Sequence, residues 1–247
     1  MTIVMATATN PTQTLAALRR GQLQLQGQFL NSSNYTFLVE VVYKGKKLTT
    51  VYKPAQGERP LWDFPQGTLA GREVAAYMVS EALGWNLVPA TIYRSKAPHG
   101  AGSLQLFITH DTEYHYFNFS EQDRQRLHSV VVFDLLINNA DRKGSHILVD
   151  ETGSMWLIDH GVCFHQEDKL RTVLWDFAGQ PIPQPLLDDI RQFADELEEE
   201  TKLFRRLRSR LSTKEARAIT TRARAIHQIG FFPHPSETRR PYPWPPI

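Results

Sequence analysis

Apolar and polar positions alternate in three runs near the start of the chain, over residues 22–30, 35–43 and 47–53. The second, YTFLVEVVY, has the β-branched and aromatic composition of a half-buried strand. NSSN (31–34) and KGKK (44–47) separate the runs, so the pattern predicts three antiparallel strands joined by turns. A short helix is expected before them, over 15–23. The period then lengthens. Over 68–83, Leu69, Ala76, Val79 and Leu83 recur on one face of a helix that Thr68 would cap and Gly84 would stop. Residues 87–94 and 103–110 read as two further strands. GERPLWDFPQG (57–67) is too irregular for a strand, and Trp62, Phe64 and Pro65 are expected to pack beside the helix.

The second half reads mainly as helix. Ser120 and Asp123 have capping-box spacing and start a helix expected to reach about residue 138. Its last two turns are nearly all apolar, which predicts burial. Asp134 interrupts that run, and a buried carboxylate requires a partner; Arg142 is the nearest candidate in sequence. A loop, a short strand, a turn and a second strand follow. One long helix is expected over 185–210, where DELEEE precedes KLFRRLRSR. It is a solvated helix or, alternatively, a basic face turned to lipid. A second capping box, Ser212 with Glu215, opens a final helix ending at Gly230. The tail FFPHPSETRRPYPWPPI is proline-rich and extended, a partner-binding arm or a surface strap. The expected organisation is a flexible segment 1–20, an N-lobe 21–110, a C-lobe 111–230 and the tail 231–247.

Composition adds bounds. A chain of 247 residues, 41% hydrophobic and 22% charged, holds a substantial core. The formal net charge of +2 gives no case for a nucleic-acid partner. Cys163 is the single cysteine, so no internal disulfide forms, in keeping with a reducing cytoplasm. The first twenty residues lack the apolar core of a signal peptide, and no run reaches the roughly 18 apolar residues of a membrane span.

The candidate chemistry lies between Phe133 and His165. Asp141 stands in the loop NNADRKGSH and Asp159 at the end of the second strand, in WLIDHG. A hairpin between them could bring both carboxylates to one mouth. Two carboxylates there suit metal-assisted phosphoryl transfer, which needs a group to orient the attacking hydroxyl and oxygen ligands for a cation on the ATP phosphates. Each Asp taken alone could equally be a solvated turn residue. The same ambiguity attaches to Lys53, at a strand end before Pro54, and to Glu73, on the next helix.

The ordered set Asp134, Ile137, Asn139, Asp141, Arg142, then Ile158, Asp159, Gly161 resembles the catalytic core of the phosphatidylinositol 3-/4-kinase-like superfamily. The likeness is to type II phosphatidylinositol 4-kinases and short bacterial kinase-like proteins. The resemblance implies an α+β, protein-kinase-like two-lobed fold, with an antiparallel β N-lobe, a mainly helical C-lobe and ATP in the cleft. It implies that Lys53, held by Glu73, orients the phosphates and that Asp141 orients the acceptor hydroxyl. Asp159 would bind Mg²⁺ or Mn²⁺. Ser32 and Ser33 are the expected phosphate contacts in a turn that otherwise reads as a plain polar hairpin. Phe107, Ile108 and Thr109 are the expected hinge contacts to adenine. One departure stands out: His146 occupies the place of the family's usual metal-binding Asn, and an imidazole suits Mn²⁺ or Zn²⁺ better than Mg²⁺. The acceptor, a lipid head group, a protein or a small molecule, is not written in the chain. Three alternatives remain at this point: a nucleotide-binding pseudokinase scaffold acting through the tail, a HipA-type protein kinase, and an enzyme that transfers AMP.

Overall fold

The computed structural model describes residues 11–29, 34–198 and 201–247. By internal contacts the chain divides into two units. One takes the described residues up to Val74 together with Pro89–Phe107; the other takes Ala75–Val88 and Ile108–Ile247.

The first unit is built on a five-stranded antiparallel sheet in the order β1-β2-β3-β5-β4. Its strands are β1 (Gln22–Gln28), β2 (Phe37–Tyr43), β3 (Lys46–Pro54), β4 (Thr91–Arg94) and β5 (Gly102–Leu106). Lys44 and Gly45 both have positive φ, 50° and 74°, between the closing pair Tyr43 and Lys46. That geometry makes the two-residue hairpin whose twist matches the strands it joins. Alternation then sorts the faces: Val39, Val41, Tyr52, Ile92 and Leu104 point into one buried cluster with Leu18. Leu18 comes from α1 (Pro11–Arg20), which starts earlier than the expected 15–23 and ends where β1 begins. The Arg94 guanidinium fastens that helix to β4 through the carbonyls of Leu18, 2.7 Å, and Gly21, 3.1 Å.

α2 (Leu69–Ala82) crosses the division between the units. Thr68 does not cap it. Its hydroxyl donates to the Pro65 carbonyl at 2.6 Å, while the Glu58 carboxylate accepts from the Ala70 N–H at 2.8 Å. An anion at a helix N-terminus is favoured by both the unpaired N–H groups and the dipole. Of the aromatics in 57–67, Phe64 is buried under the Arg72 guanidinium, but Trp62 is 89% exposed.

The second unit is mainly helical. α4 (His128–Ile137) is its centre, with Val130, Val132, Phe133, Leu136 and Ile137 fully buried. The helix expected over 120–138 is two helices, because hydrogen bonds from Arg126 to Asp123 and from Leu127 to Arg124 tighten the backbone after α3 (Glu121–Gln125). The long helix expected over 185–210 is also two, α5 (Gln184–Glu196) and α6 (Lys202–Arg208). The chain turns at Leu197, which is fully buried, and the Thr201 hydroxyl recaps it by accepting from Phe204 N–H. Leu197, Phe204 and Leu207 are all buried. α7 (Thr213–Ile229) opens with the capping box of Ser212 and Glu215 and buries Ala216, Ile219 and Ala223 at helical spacing. A two-stranded hairpin, β6 (Ile147–Val149) with β7 (Met155–Leu157), follows α4.

The proline-rich tail is laid along this unit as a strap. Phe232 is buried and exchanges backbone hydrogen bonds with Gly179 and Gln180. Farther on, the Pro241 carbonyl accepts from Thr172 N–H, 3.0 Å, and the Pro246 carbonyl from Gly144 N–H, 2.8 Å.

Candidate active site

In the first unit, Lys53 on β3 and Glu73 on α2 meet. Lys53 Nζ lies 2.6 Å from Glu73 Oε1. The Glu73 side chain is 4% exposed and that of Lys53 24%. Glu73 is thus not the solvated helix residue that its place off the apolar stripe allows. A carboxylate this deep is tolerated because it holds a cation, and the pairing fixes the ammonium at the strand end.

In the second unit, α4 ends abruptly. Asn138 takes the left-handed conformation, φ 52°, and turns the chain out of the helix. Its side chain ties the turn to the later loop, donating to the carbonyls of His165 and Glu167 and accepting from Lys169 N–H. Asn139 donates to Asp134 at 3.0 Å and accepts from the Asp141 N–H at 3.0 Å, which sets the loop carrying Asp141.

Arg142 holds the whole arrangement. It is fully buried, and its Nε and Nη2 grip Asp134 at 2.9 Å each. Nη1 donates to the carbonyls of His146 and Ile158, and Nη2 also donates to His160 Nε2 at 2.9 Å. A guanidinium can only donate, so His160 Nε2 is an acceptor and its proton resides on Nδ1. One side chain thereby joins α4, the loop before β6, the end of β7 and the D-H-G turn. This role of His160 was not foreseen from sequence. The signal was available: Arg142 has more donors than Asp134 can satisfy, and a ring nitrogen beside Asp159 can take one.

Asp159 follows β7 with φ 62°. Its carboxylate is half exposed and lies 3.5 Å from His146 Nε2. Asp141 is two-thirds buried, with Lys143 Nζ at 3.8 Å. Burial raises the Asp141 carboxyl from 3.8 to about 6; Asp159 adds to the rise, and Lys143, Arg171 and Arg142 oppose it.

The donors suit a cation carried by a nucleotide. Among the described residues no three His, Cys, Asp or Glu side chains gather at one point. Asp159 and His146 converge as a pair, and Mg²⁺ commonly takes only one or two protein ligands when phosphates and water complete its shell. The imidazole shifts the preference toward Mn²⁺.

The remaining expected contacts fare differently. Ser32 and Ser33 lie outside the described residues. Phe107 and Ile108 fall where the chain passes from one unit to the other. The Phe107 N–H is engaged by the Thr49 carbonyl, and the Ile108 carbonyl contacts His110 Nδ1. Arg171 exchanges backbone hydrogen bonds with Asn139 and Arg142, so the segment after the D-H-G turn is pinned to the loop that carries Asp141.

Comparison with known proteins adds three findings. The family described as Phosphatidylinositol 3- and 4-kinase matches residues 67–222. Protein Rv2133c of Mycobacterium tuberculosis is 41% identical, over 93% of this chain and 94% of its own length. Phosphatidylinositol 4-kinase gamma 4 of Arabidopsis thaliana is 30% identical over 55% of this chain, which spans only 31% of that longer protein. Among solved structures, the Golgi casein kinase with Mn/ADP bound superposes with a TM-score of 0.56 at 13% identity, over 96% of this chain and 80% of that one. The Helicobacter pylori proinflammatory kinase CtkA gives 0.53 at 12% identity, over 87% and 94%. At such identities the likeness establishes the α+β, protein-kinase-like two-lobed fold and nothing finer.

Proposed function

The chain belongs to the phosphatidylinositol 3- and 4-kinase family, and from that premise we propose that it is an ATP-dependent phosphotransferase acting on a hydroxyl. The observation that carries this reading is the buried Asp134–Arg142 pair, which ties the loop bearing Asp141 to the Ile158 carbonyl beside Asp159. A merely structural pair of turn aspartates would not need a fully buried five-donor arginine to hold their loops.

Each group has a role. Lys53, fixed by Glu73, neutralises phosphate charge. Asp159 with His146 would hold a divalent cation, which would supply charge neutralisation to the phosphates. Asp141 accepts a hydrogen bond from the acceptor hydroxyl and orients it. The acceptor oxygen forms its bond to the γ-phosphorus as the bond from that phosphorus to the bridging oxygen breaks. ADP leaves with the electron pair, and the hydroxyl proton passes late to Asp141. A carboxyl near 6 is mostly ionised at neutral pH yet basic enough to take that proton. Phe107, Ile108 and Thr109 remain the proposed adenine contacts, with Ser32 and Ser33 the proposed phosphate contacts.

The test is phosphotransfer from ATP to a panel of inositol lipids, proteins and small alcohols, with Mg²⁺ or Mn²⁺, on wild type and Asp159→Asn. Mass gain of the product separates phosphate from AMP. Metal-dependent phosphate transfer lost in Asp159→Asn is the expected result. Nucleotide binding without any transfer, under either metal, would overturn it in favour of the scaffold reading, for which the His146–Asp159 contact is the supporting observation.

A further inference from the structure

The second unit also holds a cavity of about 710 Å³, which touches the residues of the candidate active site at Asn138. That is within the size range of small-molecule sites. One wall is a single face of α7, from Lys214 to Ile229; another is the tail from Phe231 to Arg239. The cavity is polarised. Arg217 and Arg222 lie toward the start of the helix face, Ile226 and Ile229 at its end, with Phe231 beyond. Arg217 to Ile229 covers roughly 18 Å of helix at 1.5 Å per residue. Ile229 and Phe231 are 64% and 54% exposed, an apolar cost that a ligand would relieve.

Arg222 donates through Nε to the Leu136 carbonyl, 2.8 Å, and through Nη1 to the His165 carbonyl, 3.3 Å. Both acceptors are neutral. Among the described residues its buried Nη2 has no hydrogen-bond partner, and neither has the buried Nε1 of Trp175, another lining residue. Loss of solvent pulls the Arg222 guanidinium down to about 10, against an opposing pull from Asp168, Cys163 and Glu215. Asp168 is the single carboxylate in the lining, and it is taken by Arg239 at 2.5 Å.

We propose that this cavity binds an amphipathic anion: a phosphate or carboxylate head held by Arg217 and Arg222, and an apolar chain lying along Ile226, Ile229 and Phe231. A free amphiphile and a bilayer lipid share that chemistry, and the experiment separates them. The full chain is titrated calorimetrically with dodecyl phosphate below its micelle concentration. Inorganic phosphate and a dodecyl glycoside serve as the head-only and chain-only controls. Arg217→Glu and Ile229→Asp alter exposed positions on α7, and their melting curves check that the fold is kept. Saturable binding of dodecyl phosphate is expected, weakened about tenfold or more in each variant, with neither control matching it. Co-sedimentation with phosphatidylglycerol vesicles, lost in Arg217→Glu, would assign the ligand to a bilayer; binding of the monomer alone would assign it to a free amphiphile. Absence of saturable binding, or binding unchanged in both variants, or equal binding of the glycoside, would overturn the proposal.

Discussion

Replacing Asp141 by Asn should make the protein more stable while removing its activity. The carboxyl stands at about 6 in the folded chain against 3.8 ordinarily. The folded state therefore binds the proton more tightly than the unfolded state does. Its stabilising contribution is complete below about pH 4 and is lost as pH rises through about 6, so at neutral pH the ionised carboxylate opposes folding. The full difference corresponds to about 3 kcal/mol. The side chain is 35% exposed, and solvent screening reduces the usable part to about 1 kcal/mol. For a chain of this size that raises Tm by about 2–4 °C. The assay is a pair of melting curves, wild type and Asp141→Asn, without nucleotide and with a chelator, at about pH 7.5 and about pH 4. The variant should melt higher at the first pH and lose the advantage at the second. A variant that melts lower at neutral pH, or whose advantage is the same at both, would refute the reasoning, because the burial and repulsion at Asp141 would then carry no free energy.

Four other outcomes follow from the same structure. Arg142→Ala should destabilise the second unit by about 3–5 kcal/mol by leaving Asp134 buried and unpaired, and Arg142→Lys should not rescue it, as a circular-dichroism urea titration would reveal. Lys53→Met should abolish phosphoryl transfer in single-turnover assays and lower stability by about 1–3 kcal/mol, since Glu73 is left in a buried place without its ammonium. His146→Asn should move the ratio of activities from Mn²⁺ toward Mg²⁺, measured at saturating ATP with each metal. Phe232→Ala should cost about 3–5 kcal/mol although it lies in the tail, detectable as early loss of the strap in limited proteolysis.

Much of this was legible in the chain. Alternation gave β2 and β3 because one face of each is buried and the other is not, while β1 alternates although it is largely exposed, and Gly45, at φ 74°, marked the turn between β2 and β3. Asp134 announced a partner because it interrupts an apolar helix, and Arg142 meets it at 2.9 Å. The breaks in 120–138 and 185–210 were hidden because the apolar pattern keeps its helical phase across them, Leu197 and Phe204 lying seven residues apart and both buried. Glu58, capping α2 from twelve residues before Ala70, was equally out of reach, because its contact depends on how the irregular 57–67 segment folds back. In the candidate site, side chains with a family counterpart could be read by position. His160 could not be read that way, and only the surplus of donors on Arg142 pointed to it.

The hydrogen bond from Gly144 to Pro246 has a consequence for synthesis. Its two residues are about a hundred positions apart, and a contact so distant in sequence forms late. While the ribosome is still adding the tail, the strand hairpin and α4 can already have collapsed, yet the loop between Asp141 and His146 lacks the carbonyl that closes it. The nascent chain would therefore close the loop between Asp141 and His146 only after Pro246 has cleared the exit tunnel.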